Sequence, residues 1–148
     1  MFKSLSSVRK AYIAGFLDGD GSIYARAKPN NSYRYGFQIA LYIVLFQSQK
    51  DRANFQRVCS LIGYGKMRIR KDGILEYVIG KIGDVKNLLV DIYPYTLLKR
   101  KQIELMFRII KLKGNVENES DFKLLLGLVD GFRELNYSKK RKKRILTP

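Results

Sequence analysis

The sequence predicts a single α+β domain in which helices alternate with pairs of antiparallel strands. The chain has 148 residues, 46% of them hydrophobic, which suits one domain with a sizeable core. Two segments after the first helix alternate apolar and polar residues, as half-buried strands do. Asp72-Gly73 between two short strand-like runs is a typical hairpin turn. The order is α-β-β-α-β-β-α with further helices, and we assign residues 1–138 to this domain and 139–148 to a basic tail.

Periodicity and capping residues place each element in turn. The first helix takes Ser6 or Ser7 as its N-cap and is expected to end at Asp18-Gly19. Residues 29–32 form a turn between the first two strands, and Ser120 is the expected cap of the last helix. The predicted helices are 8–17, 50–62, 84–93, 98–113 and 120–135, and the predicted strands are 22–28, 33–46, 66–71 and 74–79.

Charge and composition restrict the classes of function. The net charge is +16, and the block at residues 139–144 supplies only six positive charges. The folded part is therefore also strongly basic, which indicates a polyanionic partner such as nucleic acid. Without a single histidine, schemes that use His as base or metal ligand are excluded. No apolar run reaches about 18 residues, so we expect a soluble intracellular protein without a membrane partner. A prokaryotic cytoplasm and an organelle are equally compatible with this composition.

The segment from Tyr12 to Gly21 carries the chemistry. It brings two carboxylates, Asp18 and Asp20, to the end of a helix, where the macrodipole disfavours negative charge. Together with main-chain carbonyls at that end, they form an oxygen-rich site suited to Mg²⁺. Ala14 and Gly15 are small residues inside the same helix, as expected where another helix approaches closely.

This segment resembles the LAGLIDADG motif of homing endonucleases. The resemblance covers most of the chain, because the element order is also that of a LAGLIDADG subunit with a curved four-stranded antiparallel DNA-binding sheet and helices on one face. It implies an intron-encoded homodimer that hydrolyses both DNA strands at a long pseudo-palindromic target. Mg²⁺ would be the cofactor, with Mn²⁺ able to substitute. Asp20 and the Gly19 carbonyl would bind the metal, while Ala14, Gly15 and Asp18 would lie at the dimer interface.

The resemblance also implies two further catalytic residues. Gln47, with Gln49 as its rival, stands where relatives carry a polar residue that orients water. Lys99, with Lys101 as its rival, stands where relatives carry a basic residue near the scissile phosphate. The chain departs from the family pattern at Asp51, where a basic residue is common, and Arg52 is the candidate to replace it.

The polar face of the sheet is the predicted DNA contact surface. Arg68 and Arg70 suit guanine and Gln38 suits adenine, because their side chains can form paired hydrogen bonds with base edges in the major groove. The full predicted contact set is Ser22, Tyr24, Arg26, Lys28, Asn30, Tyr33, Arg34, Gln38, Ala40, Tyr42, Lys66, Arg68, Arg70, Tyr77, Ser138, Lys139 and Lys142.

Two alternatives stay open at this point. The same fold could serve an RNA-binding intron maturase or a DNA-binding regulator without turnover. A second stretch, residues 126–132, looks like another copy of the motif, but Arg133 stands where the second acid would be needed. We interpret it as an amphipathic core helix, which leaves one motif in the chain.

Overall fold

The computed structural model describes residues 5–136, and the predicted element order is confirmed. The tail at 139–148 and the contact candidates Ser138, Lys139 and Lys142 lie outside this range. The helices are α1 Ser7–Asp20, α2 Arg52–Ser60, α3 Ile82–Ile92, α4 Arg100–Lys113, α5 Glu119–Asp130 and α6 Phe132–Leu135, and the strands are β1 Gly21–Pro29, β2 Phe37–Ser48, β3 Lys66–Ile69 and β4 Ile74–Ile79.

The four strands form one antiparallel sheet in the order β1-β2-β4-β3. Gly21 pairs with Leu45, and Leu45 pairs in turn with Tyr77. Alternate residues of β1 and β2, such as Ile23 and Ile43, are buried against the helices. The opposite face carries the polar residues of β1, so the predicted two-faced character of this sheet is confirmed.

Helix α1 ends later than expected, and this position decides where the motif acids lie. Ser6 is the N-cap and accepts a hydrogen bond from the Arg9 N–H at 3.3 Å, but the helix continues to Asp20. The chain then passes directly into β1 at Gly21. A Cβ there would lie 2.8 Å from the Leu17 carbonyl oxygen and 2.9 Å from its Cα. Gly21, rather than Gly19, is therefore the glycine that the helix end requires.

Smaller differences have local causes. Asn118, not Ser120, caps α5, because its Oδ1 accepts the Asp121 N–H at 2.8 Å. Strand β2 starts at Phe37, since residues 30–36 close a loop in which the Asn30 N–H donates to the Gly36 carbonyl at 2.8 Å. The Asp72-Gly73 hairpin is confirmed, with Gly73 at a φ of 82°.

The helix that contains the motif-like stretch is a core element. Phe122, Leu125 and Val129 of α5 are buried, and Phe132 of α6 completes this packing. Residues 126–132 therefore contribute to the core as predicted, but the expected single helix over 120–135 is interrupted at Gly131, where α5 ends and α6 begins. Within the described part of the chain, every helix is too short or too polar to cross a bilayer.

Candidate active site and DNA-binding face

The end of α1 presents the motif acid to solvent beside the sheet. Asp20 is the last helical residue, and both Asp20 and Gly19 are exposed. Because Gly21 pairs with Leu45, this helix end lies next to the start of β1 and the last residues of β2. The fold therefore places the Asp20 carboxylate and the C-terminal end of α1 beside the last residues of β2.

Asp18, in contrast, uses its carboxylate inside the chain. Oδ2 accepts the N–H groups of Leu97 at 2.8 Å and Leu98 at 3.0 Å, and Oδ1 accepts the Lys99 N–H at 3.1 Å. The Lys99 Nζ donates to the Asp18 carbonyl oxygen at 3.2 Å. Asp18 therefore holds the segment before α4 of its own chain, and its place at a dimer interface stays a prediction. The same contacts bring Lys99 to the end of α1.

Gln47 and Gln49 lie in different surroundings. Gln47 follows the Gly21–Leu45 pair by two residues, which puts it at the end of β2 nearest the end of α1. Its Oε1 accepts the Ser48 N–H at 2.9 Å. The Gln49 N–H donates to the Gly73 carbonyl at 3.0 Å, and its side chain lies beside the β3–β4 turn.

The alternative basic candidates for the site both lie on helices. Lys101 is exposed on α4, and Arg52 is exposed at the start of α2. Asp51, the departure from the family pattern, accepts a hydrogen bond from the Asn54 side-chain amide at 2.8 Å. Asp51 thus serves α2 locally.

The donor set at the end of α1 fits a hard divalent cation but does not complete its coordination. A carboxylate and a main-chain carbonyl are the oxygen ligands that Mg²⁺ accepts. Among residues 5–136 there is no group of three Asp, Glu, Cys or His side chains that could hold a metal alone. Asp20 and the Gly19 carbonyl therefore leave most coordination positions of such a cation open.

The sheet face beside this site is built from aromatic and cationic side chains of β1 and β2. The rings of Tyr24 and Tyr42, which pair across the strands, stack at 5.0 Å. The Arg26 guanidinium lies 5.8 Å from the centre of the Tyr24 ring, and the Lys28 ammonium lies 5.3 Å from that of Tyr42. These four side chains are held as one surface. Ser22, Gln38 and Ala40 are partly exposed on the same face.

The β3–β4 end of this face contains an acid that the sequence analysis missed. Glu76 is 8% exposed, and its Oε2 accepts a hydrogen bond from Arg68 Nε at 2.5 Å. The hydrogen bond with Glu76 raises the pKa of Arg68. The Arg70 Nε lies 3.7 Å from Glu76, and its Nη2 donates to Asp72 at 2.7 Å. Glu76 pairs with Arg68 because the Arg70 N–H donates to the Ile74 carbonyl, which leaves three residues, 71–73, in the turn. A two-residue turn at Asp72-Gly73 would instead have placed position 77 opposite position 68.

Two predicted roles are wrong because the side chains point into the core. Tyr77 is 8% exposed and its hydroxyl donates to the Tyr64 carbonyl at 2.5 Å, so it faces the helices rather than DNA. Burial raises the pKa of Tyr77 to about 12. Ala14 is fully buried within its own chain and cannot form a contact with a second copy. Gly15, one residue later, is exposed with nothing within 4 Å of an added Cβ.

The loop between β1 and β2 is anchored away from the site. The Asn30 Oδ1 accepts the Ser32 N–H at 3.0 Å, while Tyr33 and Arg34 are exposed. Below them, the Tyr35 ring stacks on Phe122 at 4.9 Å. The packing of Tyr35 on Phe122 therefore fixes the end of the loop that carries these exposed polar side chains. Lys66, another predicted contact, is exposed on β3.

The positive charge of the described chain is concentrated on one part of the fold. Residues 21–71, from β1 through β3, contain ten basic side chains and one acidic one. Residues 72–136 contain ten of each, and residues 5–20 contain two of each. The net positive charge of the described residues therefore favours binding of a polyanion to the part that carries most of the sheet.

A separate apolar surface lies around α1. Val8 is 81% exposed, and Tyr12 and Gly15 follow it on the same helical side at spacings of four and three residues. Leu97 and Leu98, which Asp18 ties to the end of α1, are also largely exposed. A contiguous apolar surface of this kind is typical of a protein–protein interface.

The comparisons with known proteins agree with these features. The LAGLIDADG endonuclease family profile matches residues 13–110. The chain is 36% identical over 132 residues to the DNA endonuclease I-CreI of Chlamydomonas reinhardtii, covering 88% of this chain and 80% of that protein. It is 30% identical over 131 residues to I-CvuI of Chlorella vulgaris, covering 88% and 81%.

Solved structures of relatives have the same fold. The crystal structure of the homing endonuclease I-CvuI with the I-CreI target and 2 mM Mg, in which the DNA is not cleaved, matches with a TM-score of 0.83 at 30% identity and covers 91% of this chain and 86% of that one. The I-CvuI structure with its own target and 2 mM Ca gives 0.84 at 29% identity, with coverage of 92% and 87%. The predicted fold is confirmed, and the chain belongs to the LAGLIDADG endonuclease family.

Proposed function

We propose that this LAGLIDADG endonuclease acts as an intron-encoded homodimer that cuts both strands of a long pseudo-palindromic DNA site with divalent metal. The observation that carries this proposal is that α1 ends at the exposed Asp20 and that Lys99 is bound to the carbonyl of Asp18 in the same last turn, beside a basic sheet face. An exposed acid, a cation and a nucleic-acid surface at one place are the parts that phosphodiester hydrolysis needs. The named relatives are DNA endonucleases, which supports the same substrate here.

A homodimer is supported by the apolar surface and by the incomplete metal ligand set. Val8, Tyr12 and Gly15 have no partner surface within residues 5–136, and a second copy would cover them around a two-fold axis. The same axis brings a second Asp20 close to the first. Two half-sites of about one helical turn each correspond to roughly 20 base pairs of pseudo-palindromic DNA.

Asp20 and the Gly19 carbonyl are the proposed protein ligands for the metal. The preferred cation is Mg²⁺, with Mn²⁺ as a substitute, because the donors are oxygens. When bound, such a cation stabilises the negative charge that develops on the attacking and leaving oxygens of the phosphodiester. The second copy of Asp20, DNA phosphates and water would supply the remaining ligands.

Lys99 and Gln47 are the proposed polar partners of this site. The Lys99 ammonium, held 3.2 Å from the Asp18 carbonyl, is available to stabilise charge on the scissile phosphate. With its Oε1 accepting the Ser48 N–H, Gln47 keeps its NH₂ group for water or phosphate. We prefer Gln47 to Gln49 because the Gln49 side chain lies against the Gly73 turn.

The basic sheet face is the proposed reading surface for DNA. Arg68 is our first candidate for guanine, since Glu76 binds its Nε and leaves the two terminal nitrogens for O6 and N7. Arg70 is second, because Asp72 already binds one of its terminal nitrogens. The remaining proposed contacts are Ser22, Tyr24, Arg26, Lys28, Asn30, Tyr33, Arg34, Gln38, Ala40, Tyr42 and Lys66, with Ser138, Lys139 and Lys142 from the tail.

No second function is favoured by a feature of its own. An RNA-binding maturase would gain from another basic surface, but the acids and bases of residues 72–136 are equal in number. A regulator without turnover has no need of the exposed Asp20 next to Lys99. We therefore keep cleavage as the proposed activity.

The decisive experiment is cleavage of a randomised duplex library in Mg²⁺ by the wild type and by Asp20→Asn and Lys99→Ala in parallel. We expect discrete double-strand cuts at a near-palindromic site of about 20 base pairs, which both variants lose or slow at least about a hundredfold. Binding of the recovered site in Ca²⁺ should survive in both variants. Cutting that persists in Asp20→Asn would refute the assignment, and tight binding without cutting by the wild type would favour the regulator or maturase.

A further inference from the structure

The Asp18 carboxylate has a role that the metal site and the dimer do not use. It accepts three consecutive N–H groups, those of Leu97, Leu98 and Lys99, at 2.8, 3.0 and 3.1 Å. These donors lie about 80 residues away along the chain, directly before α4. Lys99 is the N-cap of α4 and has no side-chain capping bond of its own. Asp18 therefore holds the three residues that lead into α4, and its negative charge lies near the positive end of that helix.

The same contacts hold Lys99 at two points. Its main-chain N–H donates to the Asp18 carboxylate, and its Nζ donates to the Asp18 carbonyl oxygen at 3.2 Å. That carbonyl belongs to the last turn of α1, where the partial charge is negative and favours an ammonium. Asp20 lies two residues further along the same turn. Asp18 thus ties the lysine to the helix turn that also carries the motif acid.

Apart from the Ile103 N–H, which donates to the Lys99 carbonyl at 3.1 Å, few contacts among residues 5–136 hold this segment. Leu97 is 80% exposed, and Leu98 is also largely exposed, so neither side chain anchors it by packing. The preceding Thr96 is buried and its hydroxyl donates to the Ile92 carbonyl at 2.9 Å, which fixes only the start of the segment. Loss of the Asp18 carboxylate would release residues 97–99 while leaving the core intact.

We propose that Asp18 is a positioning residue that holds Lys99 beside Asp20 within one subunit. The inference rests on the proposed function, because it assigns Lys99 to the scissile phosphate. A misplacement of about 1 Å at a reacting group can slow a reaction about a hundredfold. Asp18 therefore acts on the rate of cutting, through Lys99, and not on the affinity for DNA.

The test is a double-mutant cycle on the duplex recovered from the library, followed by single-turnover cutting in Mg²⁺. Asp18→Asn keeps the shape but replaces one acceptor oxygen by an NH₂ group that opposes the N–H donors. We expect it to slow cutting about ten- to a hundredfold in the wild-type background and less than about threefold in a Lys99→Ala background. Affinity measured in Ca²⁺ should change less than about threefold. Ser6→Ala, which removes the N-cap at the other end of α1, is the matched control and should cut at the wild-type rate.

Amide hydrogen exchange gives a readout that does not depend on activity. Asp18→Asn should speed exchange at Leu97, Leu98 and Lys99, whereas Ser6→Ala should not. Unchanged protection at these amides would overturn the proposal, as would equal slowing by Asp18→Asn with and without Lys99. Failure of the wild type to cut any duplex would refute the proposed function instead. The exchange result would still decide whether Asp18 holds residues 97–99.

Discussion

Two of the helical glycines, Gly15 and Gly127, allow a matched test of the dimer. Both lie inside helices, are exposed, and have nothing within 4 Å of an added Cβ. Replacing either by alanine should stabilise the isolated subunit by about 1 kcal/mol, because glycine is the poorer helix former. Within one subunit the two substitutions are thus equivalent. They differ only if a second copy covers one of them.

Gly15 lies between Val8, Tyr12 and the end of α1 on the proposed interface, whereas Gly127 lies on α5. If α1 packs closely on its partner through Gly15, an added methyl group overpacks that contact and costs about 1–3 kcal/mol. This cost weakens dimerisation about five- to 150-fold. Gly127→Ala should leave dimerisation unchanged. Gly15→Ala should thus stabilise the isolated subunit and destabilise the dimer.

The assay is sedimentation equilibrium over a concentration series, with urea unfolding at low and high protein concentration. We expect Gly127→Ala to dimerise like the wild type, and Gly15→Ala to dissociate at higher concentrations and to cut DNA only when concentrated. A Gly15→Ala protein that dimerises as tightly as Gly127→Ala would refute close packing through this helix. Measured differences in dissociation constant below about twofold would be enough to reject it.

Three further outcomes are expected. Gly21→Ala should cost about 3 kcal/mol of stability, because its Cβ would meet the Leu17 carbonyl oxygen at 2.8 Å and neither backbone can move freely; urea unfolding measures this. Glu76→Gln should change stability by less than about 1 kcal/mol, because the Arg68 side chain is mostly exposed, yet reduce discrimination at the base pair that Arg68 reads about fivefold in a binding selection. Burial raises the pKa of Cys59 from 9.0 to about 12, so between these values the folded state retains a proton that the unfolded state loses. The free energy of unfolding should therefore fall as pH rises from about 9 to 12, and it should fall less steeply in Cys59→Ala.

Each of these outcomes can be contradicted by a single result. An unfolding midpoint of Gly21→Ala equal to that of the wild type would show that the helix-to-strand passage tolerates a side chain. Unchanged base preference in Glu76→Gln, with Arg68→Ala clearly altered, would mean that Arg68 does not need its carboxylate partner. A stability that is flat between pH 9 and 12 would show that the thiol titrates alike in both states.

Local patterns were sufficient for the framework of this protein. Strand alternation, the Asp72-Gly73 turn and the motif from Tyr12 to Gly21 predicted the fold class, the element order and the family, because each depends on residues close together in the chain. The amino acid content likewise pointed to a polyanion. The predicted bounds of most elements differ from the observed ones by a few residues at their ends, because neighbouring residues such as Asn118 and Ser120 are both able to cap a helix.

Contacts between distant residues were decided only by the tertiary structure. Ala14 and Gly15 look alike as small helical residues, but the packing buries the first in its own core and exposes the second. Asp18 meets residues 97–99 across about 80 positions of sequence. Periodicity reports the surroundings of a residue within one element, whereas these roles depend on how separate elements pack against one another.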